Sequence, residues 1–340
     1  MRQSLYNLLK VVVTVGLFAV LIYTMNPANL VTVLVNVQLL PLLLALALYS
    51  IALVLGALKW QALVRAQGIE ASLGDLLSFA LVGLFFGNFM PSNVGGDVVR
   101  AYDLARVTHG RTEAAAISVL VDRLMGFLAN LGSAVIMAVV TAVLLVQELA
   151  QYRQVALYFE IVTIAVAVVF VCALALLFSR RASRRAAFLF ELPPLARVRP
   201  LALKVYHALQ VYRFHYRALA LNVSLSVAIV ILTAVAWYTL GLSVGITNVS
   251  FLYFLLFNPL IAFVTLIPIS LNGLGVKEAG AVYFFKLMGV PAAEAFSMSL
   301  LFHVIIIATS LPGGLLWLRT RNLAPADSQV VASSDSQMVE

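Results

Sequence analysis

The sequence predicts an all-α polytopic membrane protein, and three observations indicate this class. The 340 residues are 63% hydrophobic and only 11% charged, whereas soluble domains are about 45–50% apolar and about 25% charged. Several apolar runs reach the roughly 20 residues that a helix needs to cross a bilayer. Two further apolar stretches are interrupted by clustered proline, glycine and charged residues. We therefore expect about eight membrane segments, including two re-entrant hairpins that form an inverted repeat.

The first half of the chain, about residues 1–178, is oriented by its basic residues, because Lys and Arg concentrate in cytoplasmic loops. Arg2 and Lys10 precede the first span, so the N-terminus is expected in the cytoplasm. Basic residues lie on both sides of the short segment 76–97, which predicts a hairpin that enters and leaves the membrane on the same side. In order, we expect a span at about 8–25, an external connection at 26–38, a span at about 39–58, the hairpin at 76–97, and spans at about 114–147 and 158–178.

A basic segment, residues 179–217, separates the two halves. It carries nine Lys or Arg residues, and its pattern is typical of an amphipathic helix on the cytoplasmic membrane surface. The second half, residues 218–320, ends at basic residues that also belong in the cytoplasm. Residues 1–320 are thus expected to form a single transmembrane domain, followed by a disordered polar tail at 321–340. The second half is predicted to contain a span at about 218–240, an external loop at 241–250, a second hairpin within 251–290 entered from the opposite face, and a last span at about 295–318.

The two interrupted segments resemble each other. "PSNVGGDVVR" (91–100) and "PISLNGLGVKE" (268–278) each contain a proline, a serine, an asparagine, two close glycines and a charged pair. Non-helical backbone at membrane depth must be buried in protein or line a wet cavity, and such breaks in corresponding halves indicate a transporter site near the midplane. A new helix is expected to begin near Asp97 and near Val276, where its N-terminus would favour an anion. The alternative is that both motifs are surface turns with solvated charges.

A third charged position lies inside an apolar run, in "SVLVDRLMGF". Asp122 and Arg123 lie roughly 12 Å into a helix that starts near residue 114, at ~1.5 Å per residue. Charged residues at this depth usually face a cavity or a partner. The alternative is a pair that snorkels to the interface and holds the helix in register. The pairs that we expect are Arg123 with Asp97 or Glu278, and Asp122 with Arg100 or Lys277.

The predicted substrate-binding residues come from these three places, and we expect them to line one polar groove. The histidines and the single cysteine show no metal-ligand spacing, so no metal or cofactor is expected. The net charge of +8 is explained by basic cytoplasmic loops rather than by nucleic-acid binding. The predicted residues are Asn93, Gly95, Gly96, Asp97, Arg100, Asp122, Arg123, Asn272, Gly273, Gly275, Lys277 and Glu278.

Three motifs resemble those of a known family. "NFMPSNVGGDVVRAYDLAR" (88–106), "DRLMGF" (122–127) and "IPISLNGLGVKEAG" (267–280) are similar to signatures of the lysylphosphatidylglycerol synthase transmembrane-region family, also called the flippase-like or UPF0104 family. The resemblance covers 1–320 and implies a bacterial or archaeal integral membrane protein. In the multiple-peptide-resistance members, this region is associated with moving aminoacylated phosphatidylglycerol between leaflets, and a separate soluble domain carries the synthase activity. Because this chain ends about twenty residues after its last span, aminoacyl transfer is not expected here.

The sequence therefore favours a transporter or flippase for an anionic or aminoacylated phospholipid, or for a lipid linked to polyprenyl phosphate. Two alternatives stay open. One is a non-catalytic membrane partner of a lipid-modifying enzyme or glycosyltransferase, docked through residues 179–217. The other is a lipid-modifying enzyme with Asp97 or Glu278 as general base, which the absence of a recognisable catalytic motif disfavours. Residence in the cytoplasmic membrane, with both termini in the cytoplasm, is expected in each case.

Overall fold

The computed structural model describes residues 2–24, 27–89, 95–108, 111–144, 168, 210–212, 214–265, 270 and 273–322. Within these residues the chain forms ten α-helices with defined bounds, which confirms the predicted all-α class. They are α1 (Arg2–Thr24), α2 (Pro27–Val35), α3 (Leu39–Ala66), α4 (Leu73–Phe89), α5 (Gly95–Val107), α6 (Thr112–Leu144), α7 (Tyr216–Ser243), α8 (Phe251–Val264), α9 (Val276–Lys286) and α10 (Ala292–Asn322).

Four of the described helices, α3, α6, α7 and α10, are long and apolar enough to cross a membrane. The count becomes five if α1 and α2, which meet at an angle of 88°, form one bent span. The shorter apolar helices α4 and α8 belong to the two interrupted segments. These observations support an integral membrane protein, whose apolar helix faces are expected to contact lipid.

Local sequence explains where the helices begin and end. Pro41 lies in the first turn of α3, where a missing backbone N–H costs little. The same helix ends before Gly68, whose φ of 69° places it in the left-handed region that favours glycine. At the start of α4, the Ser72 hydroxyl accepts a hydrogen bond from the backbone N–H of Asp75 at 3.1 Å and donates one to the Asp75 carboxylate at 2.6 Å. This arrangement stabilises the first turn.

Glycines allow α4 and α5 to lie against each other. A Cβ at Gly96 would be 2.2 Å from the carbonyl oxygen of Gly83, and Gly87 also lies close to Gly96. Small residues at such spacing allow close helix packing in membranes. The same principle joins α4 to the last helix, because a Cβ at Gly313 would be 2.1 Å from the carbonyl oxygen of Leu81. Helix α4 therefore packs closely on both α5 and α10.

The helices of the two halves correspond in order and length. The long helices α3 and α7 both have 28 residues, and α6 and α10 have 33 and 31. Between them lie the short pairs α4–α5 and α8–α9, with 17 and 13 residues in one half and 14 and 11 in the other. The most extensive packing joins α3 to α7, while α4 packs on α10 and α8 packs on α6. Helices of each half thus pack against helices of the other half. An aromatic core that includes Trp237, Phe254 and Phe285 lies between α7, α8 and α9.

Two predicted boundaries differ from the structure. The connection at 26–38 contains helix α2, because Pro27 starts a new apolar helix directly after the first one. The last helix extends to Asn322, so it includes the first two residues of the predicted tail 321–340. The predicted span 158–178, apart from Val168, and most of the basic segment 179–217 lie outside the described residues, as do residues 323–340.

Candidate functional site

A row of five charged side chains, which we call the charge network, lies where α3, α5 and α6 meet. The helix α5 supplies Asp97 and Arg100 one turn apart, and α6 supplies Asp122 and Arg123. The fifth member is Lys59 of α3. Each cation contacts at least one carboxylate of the network, so the burial of these charges is compensated by pairing.

Asp122 is the buried centre of the charge network, with 3% of its surface exposed. Its Oδ1 atom accepts from the Lys59 ammonium at 2.9 Å and from the Asn222 amide at 2.9 Å. Its Oδ2 atom accepts from the Arg100 guanidinium at 3.1 Å. The Asn222 amide also donates to the Lys59 carbonyl at 3.0 Å, and this contact ties α7 to α3. Both carboxylate oxygens are therefore hydrogen-bonded, as a buried carboxylate requires.

Asp97 and Arg123 form the more exposed end of the charge network. The Asp97 carboxylate contacts the guanidinium of Arg123, and Arg100 Nε lies 3.4 Å from its Oδ1. The Arg100 guanidinium also lies over the Trp60 ring, 4.9 Å from its centre, in a cation–π arrangement. The indole of Trp60 is held in place by a 3.1 Å hydrogen bond to the Ser118 hydroxyl. Arg100 is thus fixed between two carboxylates and an aromatic face, whereas 44% of the Arg123 side chain is exposed.

The charge network and apolar residues of α6 and α8 together line a groove of about 300 Å³. The rings of Phe127 of α6 and Phe263 of α8 meet edge to face there, with their centres 5.2 Å apart. Helix α6 keeps space beside the Lys59 ammonium, because a Cβ at Gly126 would lie 3.4 Å from it. A groove lined by both cations and aromatic rings can hold a molecule with a charged and an apolar part. The remaining described lining residues are Asn130 and Ala262.

A second polar cluster lies between α9 and α10. Glu278 is fully buried, and its Oε2 accepts from the backbone N–H of Gly275 at 2.6 Å. Its Oε1 lies 3.0 Å from His303 Nδ1 and 3.5 Å from the Ser299 hydroxyl. The buried Lys277 ammonium lies 5.1 Å from the centre of the Phe302 ring and has no hydrogen-bond partner among the described residues. The cluster caps α9 and fixes it on α10.

The end of α3 that carries Lys59 is anchored by Tyr212, a residue of the basic segment 179–217. The Tyr212 hydroxyl donates to the Leu63 carbonyl at 3.1 Å and accepts from the Gln67 amide. Burial of this phenol raises the pKa of Tyr212. Because the hydroxyl stays protonated, it remains a hydrogen-bond donor at all physiological pH values. This anchor fixes the position of the Lys59 turn.

The structure brings together part of the predicted site. The expected pairs of Arg123 with Asp97 and of Asp122 with Arg100 are present, and α5 and α9 begin at Gly95 and Val276, as the sequence predicts. The groove in the structure differs from the single polar groove predicted from the sequence, because neither Lys277 nor Glu278 is among its described lining residues.

The other predicted site residues are asparagines and glycines, and none of them is among the described residues that line the groove beside the charge network. Asn93 and Asn272 lie outside the described residues, whereas Gly95 is half-buried in the first turn of α5. Gly273 and Gly275 have φ angles of 75° and 81°, and a Cβ at Gly275 would be 2.9 Å from Leu17 of α1. Close packing explains the glycines of the second motif without a ligand.

Lys59 and Asn222 belong to the site but are not among the residues predicted from the sequence. The sequence pattern places Lys59 at the cytoplasmic end of a span, although α3 continues for seven residues beyond it to Ala66. The feature that could identify Lys59 as a site residue is its position inside a helix rather than after the end of one. The signal of Asn222 is a lone amide in the apolar sequence "ALALNVSLSV". Polar residues at such positions usually face the protein interior.

The fold and the site define a class of polytopic α-helical membrane protein with a charge network beside an amphipathic groove. The chain matches the family described as "Lysylphosphatidylglycerol synthase TM region" over residues 7–313, and it belongs to that family. It is also 32% identical over 114 residues to a UPF0104 membrane protein of Methanothermobacter thermautotrophicus (strain Delta H). This match covers 33% of the present chain and 34% of the relative, so it spans about a third of the relative's length.

Proposed function

We propose that the protein is a transporter that moves a lipid between the two leaflets of the membrane. The candidate lipids are anionic or aminoacylated phospholipids and lipids linked to polyprenyl phosphate. The observation that carries the proposal is a groove lined by both the charge network and the aromatic rings of Phe127 and Phe263. Guanidinium and ammonium groups bind phosphate oxygens strongly. In this arrangement a lipid phosphate contacts the cations, while its chains remain against Phe127, Phe263 and the bilayer.

We propose that the two halves form an inverted repeat, an arrangement suited to alternating access. We propose that α4–α5 and α8–α9 are re-entrant hairpins entered from opposite faces, and that about eight membrane segments result when residues 158–178 are included. The matched helix lengths support this, as does the reciprocal packing of α4 on α10 and of α8 on α6. In transporters with this symmetry, one repeat moves against the other around a central site. The groove fits a central site between the two halves, because α6 of the first half and α8 of the second half both line it.

We further propose that the protein resides in the cytoplasmic membrane with both termini in the cytoplasm. The distribution of Lys and Arg supports this orientation, since Arg2 and Lys10 lie in the first part of α1, and Arg319 and Arg321 lie at the end of α10. Modification of engineered terminal cysteines by a membrane-impermeant reagent tests it. Labelling is expected only after the cells are opened, and labelling of intact cells would refute the orientation.

The proposal contains no chemical step on the lipid. Both network carboxylates are engaged with cations, and their hydrogen bonds suit positioning of a bound head group better than proton abstraction. Mass spectrometry of the lipids after incubation with purified protein tests this part. Unchanged lipid masses are expected, and a new lipid product would favour the enzymatic alternative.

The experiment that tests transport is a leaflet-resolved flip assay in proteoliposomes. Fluorescent phosphatidylglycerol, its lysyl ester and a polyprenyl phosphate would be compared for the wild type and for Arg123→Gln. The matched control is Arg106→Gln, which removes an exposed arginine of α5 that is not among the described groove residues. Loss of a phosphate contact worth about 1.4 kcal/mol slows movement roughly tenfold. Arg123→Gln is expected to show this loss and Arg106→Gln is expected to behave like the wild type.

Two results would overturn the transport proposal. One is that no lipid moves faster than in protein-free liposomes, which would favour a role as a partner of a lipid-modifying enzyme. The other is that lipid moves equally fast with the wild type and with Arg123→Gln, which would exclude the charge network from the lipid pathway. Circular dichroism and gel filtration of each variant establish that it is folded before its rate is interpreted.

A further inference from the structure

The second polar cluster occupies positions that correspond to positions of the charge network in the first half. Glu278 is the third residue of α9, as Asp97 is the third residue of α5. His303 is the twelfth residue of α10, as Arg123 is the twelfth residue of α6. In both halves the acid and the base are in contact. The second half therefore repeats an acid–base contact of the first half with a different base.

The change from a guanidinium to an imidazole alters what this contact can do. Arginine stays protonated at every physiological pH, so Asp97 and Arg123 form a permanent ion pair. Histidine is the side chain whose charge changes most readily between about pH 5 and 8. The contact of Glu278 Oε1 with His303 Nδ1, at 3.0 Å, is an ion pair only while the imidazole is protonated. The second half can thus gain and lose a charge that the first half always carries.

Lys277 links the charge of His303 to the stability of the contact between α9 and α10. Its ammonium is buried over the Phe302 ring and has no hydrogen-bond partner among the described residues. While His303 is neutral, the Lys277 ammonium and the fully buried Glu278 carboxylate balance each other. A proton on His303 gives Glu278 a second cation to compensate. One positive charge then stays buried without a counter-charge, which is costly in a closed protein interior.

The charge of His303 is determined within the cluster. Among the described residues of α2 and α4, which also pack on α10, none forms an ion pair with His303. The side chains of α3 and α7 that pack on the neighbouring Phe302 ring are uncharged at neutral pH. The residues that surround His303 and Phe302 from the other helices are Lys277 and Glu278 of α9, Tyr49 of α3 and Trp237 of α7.

We propose that this cluster is the proton site of a proton-coupled transporter, in which the His303 imidazole takes up and releases the proton. The coupling rests on the proposed function, because the movement that it drives is that of a lipid. Uptake forms one N–H bond and adds one positive charge to the cluster, and release reverses both. The added charge disfavours the closed contact of α9 with α10, so the proton favours a conformation in which water reaches Lys277. This difference between two conformations is what links proton binding to motion of the α8–α9 segment.

The first experiment measures proton binding without transport. The full-length protein, labelled with ¹⁵N-histidine, is titrated in micelles of a neutral detergent between about pH 5 and 8 and followed by NMR. The His303 signal is the one that is absent from His303→Gln. We expect the His303 imidazole to change from its protonated to its neutral form within this range. An imidazole that stays in one form throughout would overturn the proposal.

The second experiment measures coupling in proteoliposomes that contain fluorescent phosphatidylglycerol, with the membrane potential held at zero by valinomycin and potassium. For one proton per lipid, a gradient of about one pH unit changes the steady-state ratio of the probe between the leaflets by up to about tenfold. The wild type is expected to show such a shift. The matched control His215→Gln, which alters an exposed histidine before α7, is expected to show the same shift.

Two variants of the cluster make the second experiment specific. His303→Gln keeps a polar side chain that cannot take up the proton, and Lys277→Met removes the charge that opposes protonation. Both are expected to leave the probe close to equally distributed under the same gradient. If one of them fails to fold, the other variant and the wild-type response still decide the question.

The possible results separate proton coupling from the proposed function. Movement of the probe to an equal distribution in the wild type, despite the gradient, overturns the coupling and leaves lipid transport intact. A wild-type response to the gradient in folded His303→Gln also overturns it. The absence of any lipid movement refutes the transport proposal and its coupling together, whatever the NMR titration gives. A shift in the wild type and His215→Gln that is lost in the cluster variants supports the proposal.

Discussion

The substitution Asp122→Asn tests whether the charge network stabilises the fold. Asp122 is 3% exposed, and its carboxylate binds Lys59 at 2.9 Å and Arg100 at 3.1 Å. Removing one partner of a buried ion pair costs about 3–5 kcal/mol, because the other charge stays buried without compensation. In this variant Arg100 keeps its ion pair with Asp97. The side chains of Lys59 and Arg100 are also 12% and 15% exposed, so both charges retain some contact with solvent. We therefore expect the lower end, a loss of about 3 kcal/mol in the free energy of unfolding.

The measurement is equilibrium unfolding in mixed micelles of dodecyl maltoside and sodium dodecyl sulfate, followed by circular dichroism. The matched control is Asp75→Asn at the exposed start of α4, where the carboxylate accepts a bond from Ser72, and its cost is expected to be below about 1 kcal/mol. Lys59→Met in the Asp122→Asn background removes the uncompensated ammonium. The two changes are therefore expected to cost at least about 1 kcal/mol less together than the sum of the single changes. A loss below about 1 kcal/mol for Asp122→Asn, or strict additivity of the pair, would refute this account.

The remaining predictions concern helix contact and the second polar cluster. Gly96→Ala is expected to lower the free energy of unfolding by roughly 1–3 kcal/mol, because the new Cβ would be 2.2 Å from a carbonyl oxygen of α4. The control Gly16→Ala, whose Cβ would have no atom within 4 Å, is expected to be neutral or stabilising. Equal effects of the two substitutions on the free energy of unfolding would contradict the packing argument. Glu278→Gln removes the carboxylate charge next to the buried Lys277 and is expected to lower the thermal midpoint in detergent clearly, whereas the exposed Glu113→Gln should change it little. An unchanged midpoint for Glu278→Gln would show that the cluster does not hold α9 on α10.

Local features of the sequence predicted the helical elements around the site. Proline and glycine disfavour helix wherever they cluster, so the starts of α5 and α9 follow from their own neighbours in the chain. The charged residues of α5 and α6 were recognised for a similar reason, since a charge within an apolar run is costly in isolation. The four long helices were found from the lengths of their apolar runs alone.

The partners of these charges depend on contacts between distant parts of the chain. Asn222 reaches Asp122 across 100 residues, and Lys59 reaches it across 63. The sequence predicted Asp97 or Glu278 for Arg123, and the tertiary structure places Asp97 beside it. Glu278 is instead satisfied by His303 and the Gly275 N–H within its own half.

The amino-acid sequence by itself determined the membrane class, the positions of the main helices and the family, because these depend on transfer of apolar segments from water and on local backbone preferences. The tertiary structure alone decided that one network surrounds Asp122, that Phe127 of α6 and Phe263 of α8 line the same groove, and that Lys277 and Glu278 form a separate cluster. The physical reason is that ion pairs and groove shape depend on how helices approach one another. In this protein the approach is set by glycine contacts such as that between Gly83 and Gly96, whose partners no local pattern identifies.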